Sequence, residues 1–411
     1  MSDALTVFLF DVDGVIVEPL GYRAGITQTL KILMDKIGIE NRDEILPTES
    51  EISYMESCGL HDVWDITNIF FATVLISVVR EKDFSGLDVS EEASLSDRLQ
   101  AINLCGTPIV RPHYELFADL QKTRDGFEHP SAALIYKQFV PKAHVSESRR
   151  RAWEKLLAAF LLGTRSPYKS YGTRLFQNII LGGNEFEKTY NLKSEYTGPS
   201  LLKQEDKVAI KRATVEAILR LKEQGSFRAG VYTARPSLPP LDLAPLPGYS
   251  PEAELALEAS GMSELPLVGM GSMEWLAQKH NRNPETLTKP HTTQALSALL
   301  AAVRGSSNSK TLELAYDFVH GQLGDLEELK DKNLDIYVFE DTISGIIPMQ
   351  TLGDILSQKG YQIEAHALGI ATDDNKIASL EKVCTKVFPN VNDAFEFAFK
   401  SAGLENSLAQ K

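Results

Sequence analysis

Residues 7–18 read VFLFDVDGVIVE, an unbroken apolar run that ends in two carboxylates, Asp11 and Asp13, with Gly14 directly behind them. A continuous stretch rich in β-branched and aromatic residues is the pattern of a strand covered on both faces, as in a parallel sheet with helices on each side. The whole run 5–12, LTVFLFDV, fits one such strand. Two acids at its end repel one another and lose hydration there, so a compensating charge is required, and a cation is the natural one.

Outward from this strand the texture changes twice. From about Gly21 to Gly198 the chain carries mainly helical spacing, clearest in GITQTLKILMDKIG (25–38) and SRRRAWEKLLAAFLLG (148–163). YELFADLQK (114–122) and SAALIYKQF (131–139) are weaker helical candidates. From about Leu201 strand and helix alternate. Strand patterns lie at 227–233, 265–271, 334–341, 361–370 and 386–389. Helical ones lie between them at 207–225, 250–261 with Ser250 as cap, 291–303, 342–360 interrupted or kinked at Pro348, and 375–383. Alternation of this kind predicts a Rossmann-like, doubly wound parallel α/β sheet. Its first strand is separated from the rest by a large inserted α-helical segment. The expected domains are therefore a core from residues 1–18 and 201–411, and a helical cap from 19–200.

Open α/β sheets bind ligands beyond the carboxyl ends of their strands. Asp11 and Asp13 follow the first strand, Thr233 and Arg235 follow GVYT, and Glu340 and Asp341 follow IYVF. Three strands thus deliver acids or a hydroxyl to one sheet edge. In this order the chain carries FDVDGV, VYTARPS, LTKPH and VFEDTISGI. These resemble the four motifs of the haloacid-dehalogenase-like (HAD) superfamily of phosphohydrolases. The placement of the helical insertion resembles the C1-capped branch, which includes β-phosphoglucomutase and phosphoglycolate phosphatase. The resemblance covers residues 5–18 and roughly 205–398.

That resemblance implies a Mg²⁺-dependent hydrolase, a phosphatase acting on a small phosphorylated metabolite. Asp11 would be the nucleophile, forming an aspartyl-phosphate. Asp13 would protonate the leaving oxygen and later deprotonate water. Thr233 would donate to a phosphoryl oxygen, and Lys289 would supply positive charge to the phosphate. Asp11, the Asp13 carbonyl and Asp341 would hold the ion, with Glu340 beside it directly or one shell out. Gly14 would permit the tight turn that exposes Asp13 and the backbone amides to substrate, and Arg235 is a further candidate to contact the substrate. In capped relatives the cap closes over the leaving group; Arg23, His61, Asp62, Trp64, Arg174 and Gln177 are the candidates to contact it. A phosphomutase using the same intermediate is the alternative, followed by a catalytically silent binding protein. A dehalogenase has no need of Asp13.

Other chemistries leave no trace. An EF-hand loop needs glycine at its sixth position, whereas Gly14 falls at the fourth. GMGSME (269–274) lacks the third glycine of a dinucleotide fingerprint, and nothing matches GxxxxGK or HExxH. The 411 residues carry a net charge of −14, which argues against nucleic acid or an anionic membrane as partner. Residues 63–79, the most membrane-like stretch, include Asp65 and Asn68 and read as a buried helix. Cys58, Cys105 and Cys384 form no CxxC pair, and a strand pattern begins almost at the N-terminus. The expectation is a cytoplasmic protein with free thiols.

Overall fold

A computed structural model describes residues 3–58, 60, 62–81, 99, 102, 104, 106–115, 147–223, 225, 227–243 and 246–405. The chain divides into two compact units, one made of Met1–Leu20 and Glu205–Lys411, the other of Gly21–Gln204.

The first unit is built on a six-stranded parallel sheet. Its strands are β1 (Asp3–Phe10), β4 (Phe227–Tyr232), β5 (Leu267–Val268), β6 (Lys332–Glu340), β7 (Gln362–Ile370) and β8 (Lys386–Phe388), in the order β5-β4-β1-β6-β7-β8. A separate antiparallel ribbon pairs β2 (Val17–Glu18) with β3 (Lys207–Val208). Period-two alternation splits the buried residues between two faces. Leu5, Val7 and Leu9 of β1 join Leu334, Ile336 and Val338 of β6 in a core with helices Thr292–Arg304 and Ser309–Val319. On the other face Phe8, Phe10, Phe227, Val231, Tyr337 and Phe339 pack with helices Arg212–Lys222 and Val391–Ser401. Phe8 sits edge-on to Phe227, Tyr337 and Phe395, with ring centroids 5.1, 5.2 and 5.9 Å away. Each such ring contributes about 1.5–3 kcal/mol by its burial. Helices on both faces of a parallel sheet make the fold doubly wound.

The register decides where the site lies. Phe10 of β1 is paired with Val231 of β4 and with Phe339 of β6. Asp11 therefore comes level with Tyr232 and Glu340, and its N–H donates to the Phe339 carbonyl at 3.0 Å.

Several details differ from the sequence reading. Helix Glu252–Ser260 starts behind Pro251 with no side-chain cap; Ser250 Oγ instead donates to Glu252 Oε1 at 2.7 Å. Helix Ile343–Gln358 runs without interruption through Pro348. Helices Glu49–Ser57 and Ser309–Val319 have no counterpart in that reading. Asn308 caps the latter by accepting from Thr311 N–H, an N-terminal signal visible in the sequence. Candidate helix 131–139, most of 114–122, and Cys105 lie outside the described residues.

The second unit is helical in its described parts, with Leu20–Ile37 leading into it and Glu49–Ser57, Val63–Glu81, Glu147–Leu161, Tyr171–Leu181 and Gly183–Tyr190 inside it. Polar side chains are buried within it: Asn68 donates to Thr173 Oγ1 at 2.9 Å, and Ser170 Oγ donates to Asn68 Oδ1 at 3.1 Å. Among the described residues no helix is long and apolar enough to cross a membrane. Among the described residues Cys58 and Cys384 form no disulfide with each other.

Candidate active site

Carboxylates from two adjacent strands meet at the carboxyl edge of the sheet. Oxygens of Asp11, Glu340 and Asp341 all lie within 4.8 Å of one another. Asp11 and Glu340 are buried, and Asp341 nearly so. Burial pushes the Glu340 carboxyl above its ordinary value, Asp11 adds to the shift, and Lys289 opposes it. Burial raises Asp341 likewise, against the pull of Lys376, whose Nζ donates to Asp341 Oδ2 at 2.5 Å.

Lys289 is the cation inside the cluster. Its ammonium donates to Glu340 Oε1, stands 3.1 Å from Asp11 Oδ1, and lies 3.9 Å above the Tyr232 ring. Burial alone would lower its pKa, but Asp11 and Glu340 outweigh that and hold it above the ordinary lysine value. The loop carrying it is tied to the sheet by Gln294. This buried amide accepts from Lys289 N–H at 2.8 Å and donates to the Thr233 carbonyl at 2.8 Å. Thr233 is itself buried; its Oγ1 accepts from Arg235 N–H at 3.2 Å, leaving the hydroxyl proton free to be donated.

Asp13 has a different surrounding. Both its oxygens accept from the Arg235 guanidinium, which also donates to Asp206. The turn between Asp13 and β2 closes through Gly14 N–H to the Val17 carbonyl at 2.8 Å, with Gly14 at φ +73°. A Cβ on Gly14 would strike the Asp341 carboxylate, so only glycine fits this approach. Gly345 is under the same constraint against Glu340.

The structure thus brings Asp11, Glu340, Asp341 and Lys289 together and sets Thr233, Gly14 and Asp13 on the loops around them. Arg235 moves from a candidate substrate contact to a buried partner of Asp13. Arg23, Trp64 and Arg174 belong to the helical unit and have local surroundings there. Arg23 pairs with Glu56 at 2.7 Å, Trp64 is buried, and Arg174 donates to the Pro167 carbonyl at 2.8 Å. Asp62 Oδ1 accepts from Trp64 N–H at 2.8 Å, at the start of helix Val63–Glu81, and Gln177 is fully buried. His61 lies outside the described residues. Sequence reasoning missed Asp206, Lys376, Gln294 and Tyr232, of which only Tyr232 carried a signal: it ends a buried strand.

The cluster can hold a metal ion. Asp11 Oδ1 is buried and receives no aligned hydrogen bond among the described residues. An all-carboxylate donor set suits a hard divalent cation. The carboxylates of Asp11, Asp13, Asp206, Glu340 and Asp341 outnumber the cations Lys289, Arg235 and Lys376 by two charges, which such an ion would balance.

Comparison with known protein families and with curated proteins finds no match. Among the solved structures with a similar fold is the X-ray structure of a Northeast Structural Genomics Consortium target. It has a TM-score of 0.60 and 17% identity, covering 100% of both chains. At that identity the likeness is one of fold: a doubly wound α/β protein with a helical insertion.

Proposed function

We propose that this chain is a Mg²⁺-dependent phosphatase of HAD type, which hydrolyses a small phosphate monoester through an aspartyl-phosphate on Asp11. The observation that carries this reading is the convergence of Asp11, Glu340 and Asp341 within 4.8 Å, with the Lys289 ammonium beside Asp11. Asp11, Asp341 and the Asp13 carbonyl would hold the ion, with Glu340 beside them. Once bound, Mg²⁺ would neutralise the acids and let an anionic phosphate approach an anionic nucleophile.

This chain's own residues do the rest. A carboxylate oxygen of Asp11 bonds to phosphorus as the ester P–O bond breaks, and Asp13, which must enter this step protonated, gives its proton to the departing oxygen. Asp13 then takes a proton from water, whose oxygen bonds to phosphorus while the Asp11–phosphorus bond breaks. Inorganic phosphate leaves, and both acids return to their starting states. Lys289 and Thr233 hold the phosphoryl oxygens throughout.

The test is a panel of phosphorylated metabolites incubated with Mg²⁺ and assayed for inorganic phosphate. At least one member should be hydrolysed, EDTA should stop release, and Asp11→Asn should abolish it with the fold intact. Undiminished release by Asp11→Asn would defeat the nucleophile assignment. Conversion only in the presence of a bisphosphate, with no free phosphate, would make the chain a phosphomutase instead.

A further inference from the structure

We propose that Arg235 is the positioning residue of the Asp13 carboxyl, and that Asp206 is the buried counter-anchor that orients Arg235 for this task. This deepens the phosphatase reading and rests on it. The guanidinium uses two of its edges. Nε lies 3.0 and 3.3 Å from the two Asp13 oxygens, and Nη2 lies 2.5 Å from Oδ1. On the adjoining edge, Nη1 and Nη2 donate to Asp206 Oδ2 at 3.1 and 3.0 Å, and Nη1 reaches the Glu252 carbonyl at 3.4 Å. Exposure is graded across the trio. The Arg235 side chain is 0% exposed and that of Asp206 7%, whereas that of Asp13 is 33% exposed. Arg235 is thus turned away from solvent, and Asp13 is the open end of the assembly.

The backbone closes a second tether around the same residues. Asp13 bridges to Val17, β2 pairs with β3, and Asp206 is the residue directly before β3. Ala209 N–H adds a bond to the Ile16 carbonyl at 2.9 Å. Asp13 and Asp206 are therefore linked once through this ribbon and once through one planar cation. An acid that must deliver a proton along one direction gains from such a frame, because a rigid fork fixes the carboxyl plane. Lysine, a point charge on a flexible stem, cannot serve two carboxylates along two edges.

The experiment compares kcat/KM for two substrates with Mg²⁺ present. p-Nitrophenyl phosphate has a leaving group that departs without a proton; an alkyl phosphate has one that needs it. Arg235→Lys and Asp206→Asn should each lower the alkyl-to-aryl ratio, by about 10- to 100-fold for the arginine variant, and in an Asp13→Asn background neither should lower it further. Equal loss on both substrates, or a full additional loss on top of Asp13→Asn, would reduce Arg235 to a structural clamp and overturn the proposal. Should Arg235→Lys fail to fold, Asp206→Asn decides by the same ratio. The alkyl phosphate is the best-hydrolysed member of the metabolite panel, so a wild-type protein that releases phosphate from no panel member overturns the phosphatase reading and this inference together. An active wild type with an unchanged ratio in the variants overturns this inference alone.

Discussion

Replacing Lys289 by methionine keeps most of the side-chain volume and removes one buried positive charge. In the metal-free protein that charge offsets Asp11 and Glu340. At 3.1 Å and an effective dielectric of about 20, its attraction to Asp11 alone is on the order of 5 kcal/mol. Glu340 adds a second contact, and burying the ammonium takes several kcal/mol back. Removing one member of a buried ion pair typically destabilises by about 3–5 kcal/mol, because the other charge stays behind unpaired. Spread over a unit of about 200 residues, that lowers the melting temperature by on the order of 10 °C.

Mg²⁺ gives this prediction its discriminating half. An ion present at a hundredfold excess over its Kd adds about 2.7 kcal/mol to the folded state. In wild type the ion meets acids already partly offset by Lys289; in Lys289→Met it meets them bare. The rise in melting temperature on adding Mg²⁺ should therefore be larger in the variant than in wild type, while phosphate release falls by about 10²–10³-fold. The assay is thermal unfolding followed by circular dichroism, in EDTA and in Mg²⁺. A variant that melts with wild type in EDTA and shows the same Mg²⁺ shift would refute the placement of Lys289 between these carboxylates.

Two other perturbations read different parts of the first unit. Gly14→Ala puts a Cβ at φ +73° and against the Asp341 carboxylate, so it should cost about 1–2 kcal/mol of stability and abolish the Mg²⁺-induced melting shift while preserving the far-ultraviolet spectrum. Glu254 accepts from Leu238 N–H at 2.9 Å through Oε1, its Oε2 has no partner among the described residues, and burial pushes its carboxyl up to about 7. A folded-state pKa above the unfolded one makes its contribution fully present below the unfolded value and lost as pH rises through about 7. Glu254→Gln should accordingly stabilise by about 1–2 kcal/mol near pH 8 and change little near pH 4, as read by urea unfolding at the two pH values.

The legible part of this molecule is the part that sheet register controls. Phe8 and Phe10 face one side of β1 and Leu5, Val7 and Leu9 the other, so a continuous apolar run with two-sided burial was enough to mark a central strand. Once β1, β4 and β6 are parallel neighbours, the residues at and just past their ends must converge, and Asp11, Thr233 and Glu340 are drawn to one edge by backbone pairing alone. Residues fixed by loop closure carry no such mark. Asp206 and Arg235 are 29 positions apart, and Asp206 sits directly before a two-residue strand, too short for any periodicity to announce. Lys376 reaches Asp341 from the first turn of helix Asp374–Leu380, where a lysine reads as an ordinary solvated side chain. Gln294 lies in the first turn of a helix whose amphipathic pattern gives a buried amide no reason to exist, until Thr233 and Lys289 are seen on either side of it. The distinction is physical: a parallel ladder turns spacing along one strand into position across three, whereas a hydrogen bond between loops depends on how each loop closes. The acids of the site follow from the ladder, and the groups that hold them in place follow from the loops.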